Sequence, residues 1–422
     1  MVDISANCGG IRSPNPFWLA SAPPANSGGQ IQRAFDHGWG GAVWKTLGQP
    51  IQNVSSRFGG IDYRGQRNIG FNNIELITDR PLESNFREIY DTKKKYPKHA
   101  IIVSLMVETR DEWRDIIKRS IDAGADGLEL NFGCPHGMCE RGMGSAVGQE
   151  PKVNAEITAW AVEYSTVPVL VKLTPNVANV VPHGLAAQKG GAHGVSLINT
   201  IKSIIGVDIE TYVPHPLVDG RSTNGGYCGA AVKPIALHMV GALAREPEFK
   251  LPISGIGGIT NWRDAVEFML LGSSSVQVCT EVMLRGFRIV EDMIEGLTDY
   301  MERKGFATLD DMIGKAVPNF GEWGELDLNF ETVAKIDANK CIGCNLCVVA
   351  CDDGAHQCIH PAAGSRVPVV DESECVGCNL CKIVCPVPDC ITMTEVDNGY
   401  ARASWNDHVA QGKLLRPKKA SH

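Results

Sequence analysis

Eight short runs of aliphatic and β-branched residues recur along the first part of the chain. They are FWLASA (17–22), GAVWKT (41–46), IIVSLMV (101–107) and LELNF (128–132), then VPVLVKL (167–173), HGVSLIN (193–199), PISGIG (252–257) and SVQVCT (275–280). Their apolar positions are nearly continuous, the pattern of strands buried on both faces of a parallel sheet. Amphipathic segments lie between most of them. One opens at Thr109 with Glu112 three residues on, a capping box, and then sets Trp113, Ile116, Ile117 and Ile121 at helical spacing before Gly124. Eight strand–helix units close most simply into a (β/α)8 TIM barrel, an α/β architecture; an open doubly wound sheet satisfies the same pattern. About 50 residues separate the second run from the third, and the sixth from the seventh, so extra loops are expected at the barrel mouth.

Beyond residue 305 the periodicity fades into an acidic, irregular segment. The chain therefore divides into a barrel over 1–305, a linker over 306–333, a cysteine-rich domain over 334–400 and a tail over 401–422. Ten of the 15 cysteines fall between Cys341 and Cys390. CIGCNLCVVAC supplies Cys341, Cys344, Cys347 and Cys351; CVGCNLCKIVCP supplies Cys375, Cys378, Cys381 and Cys385, followed by Pro386. Each is C-x2-C-x2-C-x3-C, by which thiolates hold a [4Fe-4S] cluster, and in two-cluster ferredoxins the fourth cysteine serves the other cluster. The expected sets are thus Cys341, Cys344, Cys347 with Cys385, and Cys375, Cys378, Cys381 with Cys351. Two zinc sites are the competing assignment of C-x2-C pairs. Asp352 stands where the second motif has Pro386, which should alter the turn more than the ligation. Cys358 and Cys390 fit neither motif and read as small core residues.

A net charge of -8 with pI near 5.8 gives no basic field for nucleic acid. The N-terminus lacks a basic start followed by an apolar core, and no apolar run approaches the roughly 18 residues of a membrane helix. The expected compartment is the cytoplasm, where crowded cysteines mean metal ligation rather than cross-links.

Two clusters move electrons singly and need a terminal, which the barrel should hold. SGIGGI (254–259) is not a dinucleotide fingerprint, so direct nicotinamide binding is not expected. In such barrels the loops after strands seven and eight commonly bind phosphate through backbone N–H groups; here they carry Gly257, Gly258, Cys279 and Thr280. FMN suits that place, because a flavin accepts single electrons and delivers a hydride. Lys45 and Lys172 lie near the ends of their strands, where a cation would stabilise reduced flavin, although strand lysines also snorkel to the surface. Cys134 follows the fourth strand, in a loop whose Gly137, Gly142, Gly144 and Gly148 suggest a mobile lid. A thiol with an ordinary pKa of about 8.5 is protonated at neutral pH and can complete a hydride reduction as proton donor. Nucleophilic catalysis with His136 as base is the alternative. Cys139 reads as a bystander.

Taken together, FNNIELI (71–77), LELNFGCPHGM (128–138), VKLTPNV (171–177), INT (198–200), GGYCGAAVKPIAL (225–237), SGIGGI, QVCT and the double cluster motif resemble the pyrimidine-reducing half of the dihydropyrimidine dehydrogenase family. The resemblance runs across essentially the whole chain. It implies that Cys134 protonates C5 of uracil or thymine while reduced FMN delivers hydride to C6. It places Asn73, Asn131, Asn199 and Thr200 on the pyrimidine amide edge, with Glu75 and Ile77 shaping the pocket. Ser21, Lys45, Lys172, Gly258, Cys279 and Thr280 match FMN contacts. Since no segment suits FAD or a nicotinamide, it also implies a separate FAD- and NAD(P)H-binding iron–sulfur flavoprotein subunit. Two rivals stay open: a dihydroorotate dehydrogenase-like enzyme on another cyclic amide, and a non-catalytic electron-transfer subunit.

Overall fold

The computed structural model describes residues 2–135, 142–354 and 356–412 and divides the chain into two compact units, Met1–Phe320 and Gly321–His422. In the first unit the eight apolar runs form β1 (Phe17–Leu19), β2 (Gly41–Leu47), β3 (Ala100–Leu105), β4 (Gly127–Asn131), β5 (Val169–Lys172), β6 (Gly194–Leu197), β7 (Ile253–Ile256) and β8 (Ser273–Val278). All are parallel, each hydrogen-bonds the next, and β8 returns to β1, so the sheet is a closed barrel. The β8–β1 pairing, not burial, separates this barrel from an open doubly wound sheet: all seven residues of β2 and all six of β3 are buried, as in any parallel sheet covered on both faces.

The helix expected after Thr109 spans Arg110–Asp122 with its capping box formed, burying Trp113, Ile116 and Ile117 against the barrel while Ile121 is half-buried. The two long interruptions are more ordered than loops. Strands Phe58–Tyr63 and Gln66–Asn73 from the first join Ile201–Ser203 and Gly225–Cys228 from the second in one four-stranded antiparallel sheet. Asn73 and Gly226 are register partners in it, so the second insertion fixes the first beside the strand ends.

Residues 306–320, read from sequence as the start of a linker, belong with the first unit: Leu309 and Met312 are buried in the barrel core. The second unit pairs Thr332–Ile336 with Ile391–Glu395 and carries helices Leu346–Gly354 and Leu380–Val384 behind the two cysteine motifs. Residues 401–412 are part of it: Trp405–Ala410 is helical, and the Trp405 ring lies 6.1 Å from that of Trp323. The longer first helix has a simple cause. Pro386 cannot continue a helix past Cys385, whereas Asp352 can extend one past Cys351.

Candidate active site

Residues at the C-terminal ends of β1, β2, β4, β5, β6, β7 and β8 surround one cavity with about 1230 Å³ of open space. The insertion sheet supplies another part of its wall through Asn73, Tyr227 and Cys228. Of the residues singled out from sequence, Ser21, Lys45, Asn73, Glu75, Asn131, Cys134, Lys172, Asn199, Thr200, Gly257, Gly258, Cys279 and Thr280 all border it. Ile77 does not. It packs behind Cys134, in an apolar cluster with Met106 and Met143.

The three carboxamides are held in order by their own bonds. Asn131 Nδ2 donates to Thr46 Oγ1 at 3.0 Å, while its Oδ1 accepts from Asn199 Nδ2 at 3.0 Å and from the Gly133 N–H at 3.3 Å. Asn199 Oδ1 accepts the Thr200 N–H at 2.8 Å, and Asn73 Nδ2 donates to the Gly226 carbonyl at 3.3 Å. Each amide nitrogen thus uses one of its two hydrogens among the described contacts, which leaves donors for a ligand that presents carbonyl oxygens.

Both candidate flavin lysines are buried and charge-paired. Lys45 Nζ lies 2.9 Å from Glu75 Oε1, which Arg57 Nε also meets at 3.1 Å; Lys172 Nζ lies 3.6 Å from Glu129 Oε1. Farther round the cavity, burial pushes the Cys228 thiol up to about 11 and the Cys279 thiol higher still. Both are therefore neutral near pH 7, and no thiolate repels an anion there. The β7 loop brings bare backbone to the cavity: Gly258 is left-handed at φ +73°, and a Cβ on it would come within 2.7 Å of the Lys233 backbone nitrogen. Thr280 and Glu281 begin the helix Thr280–Arg285, so the N–H groups of its first turn have no partner within that helix. Glycine backbone and a helix start suit the FMN phosphate, and the orphaned Gln277 Oε1 in the cavity wall can accept a bond from a ring N–H.

In the second unit Cys341, Cys344, Cys347 and Cys385 line one cavity, and Cys375, Cys378, Cys381 and Cys351 line another. The repeated C-x-G-C-N-L-C accounts for the wrap. Gly343 with Asn345, and Gly377 with Asn379, are left-handed at matching positions and curl each loop around its cavity. Cys358 and Cys390 pack in the small core as expected, but they also line those cavities: Cys358 Sγ lies 3.6 Å from Cys351 Sγ, and Cys390 borders the cavity of Cys385.

His136, Gly137 and Cys139 lie outside the described residues. Two of the expected lid glycines have a packing role: a Cβ on Gly148 would overlap the Phe132 carbonyl oxygen, and one on Gly144 would come within 2.9 Å of the Cys134 carbonyl. Thr46, Gln277 and Glu129 were missed from sequence. A polar residue inside an apolar strand run, as in LELN or SVQV, was the available signal.

Barrel, cavity and paired cysteine cavities define a flavin-type oxidoreductase domain joined to a two-cluster electron-transfer unit. The family model described as dihydroorotate dehydrogenase matches residues 4–301, and the one described as 4Fe-4S dicluster domain matches 334–393. The chain belongs to the dihydroorotate dehydrogenase family. It is 42% identical to the NAD-dependent dihydropyrimidine dehydrogenase subunit PreA of Escherichia coli (strain K12), over 87% of this chain and 89% of that one. It is 40% identical to the chloroplastic dihydropyrimidine dehydrogenase (NADP(+)) of Arabidopsis thaliana, over 75% and 78%. The catalytic subunit of dihydroorotate dehydrogenase B (NAD(+)) from Pyrococcus horikoshii matches at 37%, over 73% of this chain and 96% of its own. The chain is accordingly an oxidoreductase acting on a CH–CH bond, with FMN and two [4Fe-4S] clusters as its cofactors. Among the described residues no helix is long and apolar enough to cross a membrane.

Proposed function

We propose that the chain is the catalytic subunit of a dihydropyrimidine dehydrogenase and reduces uracil or thymine to the 5,6-dihydro compound. The observation that carries this reading is the linked row Asn131–Asn199–Thr200, with Asn73 lining the same cavity, which Cys134 also borders. A pyrimidine ring alternates N–H and C=O groups, and oriented carboxamides offer both complements. Cys134 is 8% exposed and backed by Ile77, Met106 and Met143, an apolar setting that keeps water from competing as proton source. It gives its proton to C5, and bound FMN supplies the hydride for C6. Asn73, Asn131, Asn199 and Thr200 orient the ring so that both transfers meet one double bond.

Charge separates this from an orotate enzyme. Of the described residues bordering the cavity, the lysines are Lys45 and Lys172, and each faces a buried carboxylate, which leaves neither lysine as a free cation for an anionic substrate. A neutral ring requires none. Cys341, Cys344, Cys347 and Cys385 would hold one cluster and Cys375, Cys378, Cys381 and Cys351 the other, and such clusters would supply single-electron transfer to the barrel. The electron source is a FAD- and NAD(P)H-binding iron–sulfur subunit, in keeping with a relative that is itself named as a subunit of an NAD-dependent enzyme. Cysteines crowded into two cluster-ligand motifs fit a reducing compartment, the cytoplasm.

The test is anaerobic. The purified chain is reduced chemically, uracil, thymine or orotate is added, and flavin reoxidation is followed while the dihydro product is assayed. Reoxidation with dihydrouracil or dihydrothymine is expected. Reoxidation by orotate alone would move the chain to dihydroorotate chemistry, and none with any substrate would leave it an electron carrier.

A further inference from the structure

One buried ionisable group beside the cavity has no part in the proton and hydride transfers. Glu129 lies in β4 two residues before Asn131 and is fully buried inside the barrel. Its Oε2 accepts from Ser196 Oγ at 2.7 Å and from Gln277 Nε2 at 2.9 Å, whereas its Oε1 has no hydrogen-bond partner. The cation opposite that oxygen is Lys172, 3.6 Å away and itself 6% exposed. A buried carboxylate needs a countercharge, and so does a buried ammonium. Each is the other's partner, so the pair adds no net charge beneath the cavity.

That cancellation has a consequence for the flavin. A lone cation at Lys172 would favour the reduced, electron-rich form and so weaken it as a hydride donor. A lone carboxylate at Glu129 would do the reverse. We propose that Glu129 is a positioning residue: it holds the Lys172 ammonium at the cavity wall and, by cancelling its charge, sets the reduction potential of the bound flavin. The inference rests on the FMN reading of this cavity.

The experiment is a spectroelectrochemical titration of the flavin in the full chain with its clusters, across Lys172→Met, Glu129→Gln and the double variant. Lys172→Met should shift the midpoint to more negative values, Glu129→Gln to more positive values, and the double variant should return close to the wild type. At a fixed applied potential each single change should move the reduced-to-oxidised ratio by on the order of tenfold, in opposite directions. A role confined to core packing would not produce opposite signs that cancel. An unchanged or more negative midpoint for Glu129→Gln, or a double variant that matches Lys172→Met, overturns the proposal. Should Glu129→Gln not fold, Ser196→Ala removes one donor from the same carboxylate, leaves its charge less neutralised, and should shift the midpoint to more negative values; no shift there also overturns it. Flavin content and uracil reduction by the wild type are measured in the same preparations. Absence of flavin or of turnover in the wild type counts against the function proposed above, and a wrong order of midpoints in a flavin-bearing, active enzyme counts against Glu129 alone.

Discussion

Cys134 is the side chain on which the chemistry can be tested most directly, because its apolar backing and its proton donation are separable. Replacing Cys134 by Ala removes the proton but keeps the Ile77–Met106–Met143 packing nearly intact, since only a thiol is lost. Steady-state reduction of uracil should fall by roughly 10²- to 10⁴-fold, the usual contribution of a general acid, with flavin and iron content unchanged. Ser at this position should recover part of the loss. Activity within about threefold of wild type for Cys134→Ala would remove the thiol from the mechanism. Gly258 tests the other end of the cavity. A side chain there meets both a left-handed backbone and the Lys233 nitrogen, so Gly258→Ala should lower the flavin content of the purified chain while its clusters stay loaded. Equal flavin content would show that this loop does not cradle the cofactor.

At the scale of elements, the barrel was legible because each strand is an apolar run long enough to be recognised without its partners. The insertion sheet was not. Its register pairs Phe71 with Cys228 and Asn73 with Gly226, residues far apart in sequence, and its strands are rich in Gly and Asn with mostly exposed or half-exposed positions. Nothing local in FGGIDY or GGYC distinguishes such a strand from a loop. The strand-end lysines and Cys134 could be placed from sequence because position after a strand implies the catalytic end of a barrel. For Thr46 and Gln277 a polar residue within a strand run was the one signal, and only the closed barrel shows that it borders the cavity.

The helix Val181–Lys189 carries a further consequence of burial. His183 is 7% exposed, its Nδ1 has no hydrogen-bond partner, and burial holds its pKa below the usual 6.5. Its folded pKa is depressed, so the neutral form is favoured by folding; the stability it contributes is complete above the unfolded value and is lost as pH falls through the folded one. The midpoint of urea unfolding for the barrel should therefore decline from pH 7 to pH 5. His183→Gln should flatten that decline by up to one proton's worth, about 1.4 kcal/mol per pH unit. An equally steep decline in the variant would assign the effect elsewhere.

For the whole molecule, the two units rest on different kinds of interior, and that difference is itself testable. The first buries a large aliphatic and aromatic core with Trp39, Trp44 and Trp113 inside it. In the second, the buried cluster is Ala334, Val348, Ile359 and Ile391 around Cys341, Cys347, Cys351, Cys358, Cys381 and Cys390. Six of those ten residues are cysteines and four of the six belong to the cluster motifs, so the clusters are the greater part of what the unit folds around. Binding free energy of a group that exists only in the folded state is folding free energy. Anaerobic removal of iron with a chelator should then leave residues 2–320 with their original melting transition while 321–412 becomes susceptible to protease. The cross-linking of the sites adds a second reading: Cys385→Ala, in the second motif, should deplete the cluster of Cys341, Cys344 and Cys347, and Cys351→Ala that of Cys375, Cys378 and Cys381. Because each motif supplies a ligand to the other's cluster, the proteolysis of the two halves of the unit should rise together in either variant. Independent behaviour of the halves would mean that each motif closes on its own cluster, and a protected apo unit would mean that its few aliphatic residues suffice to hold it.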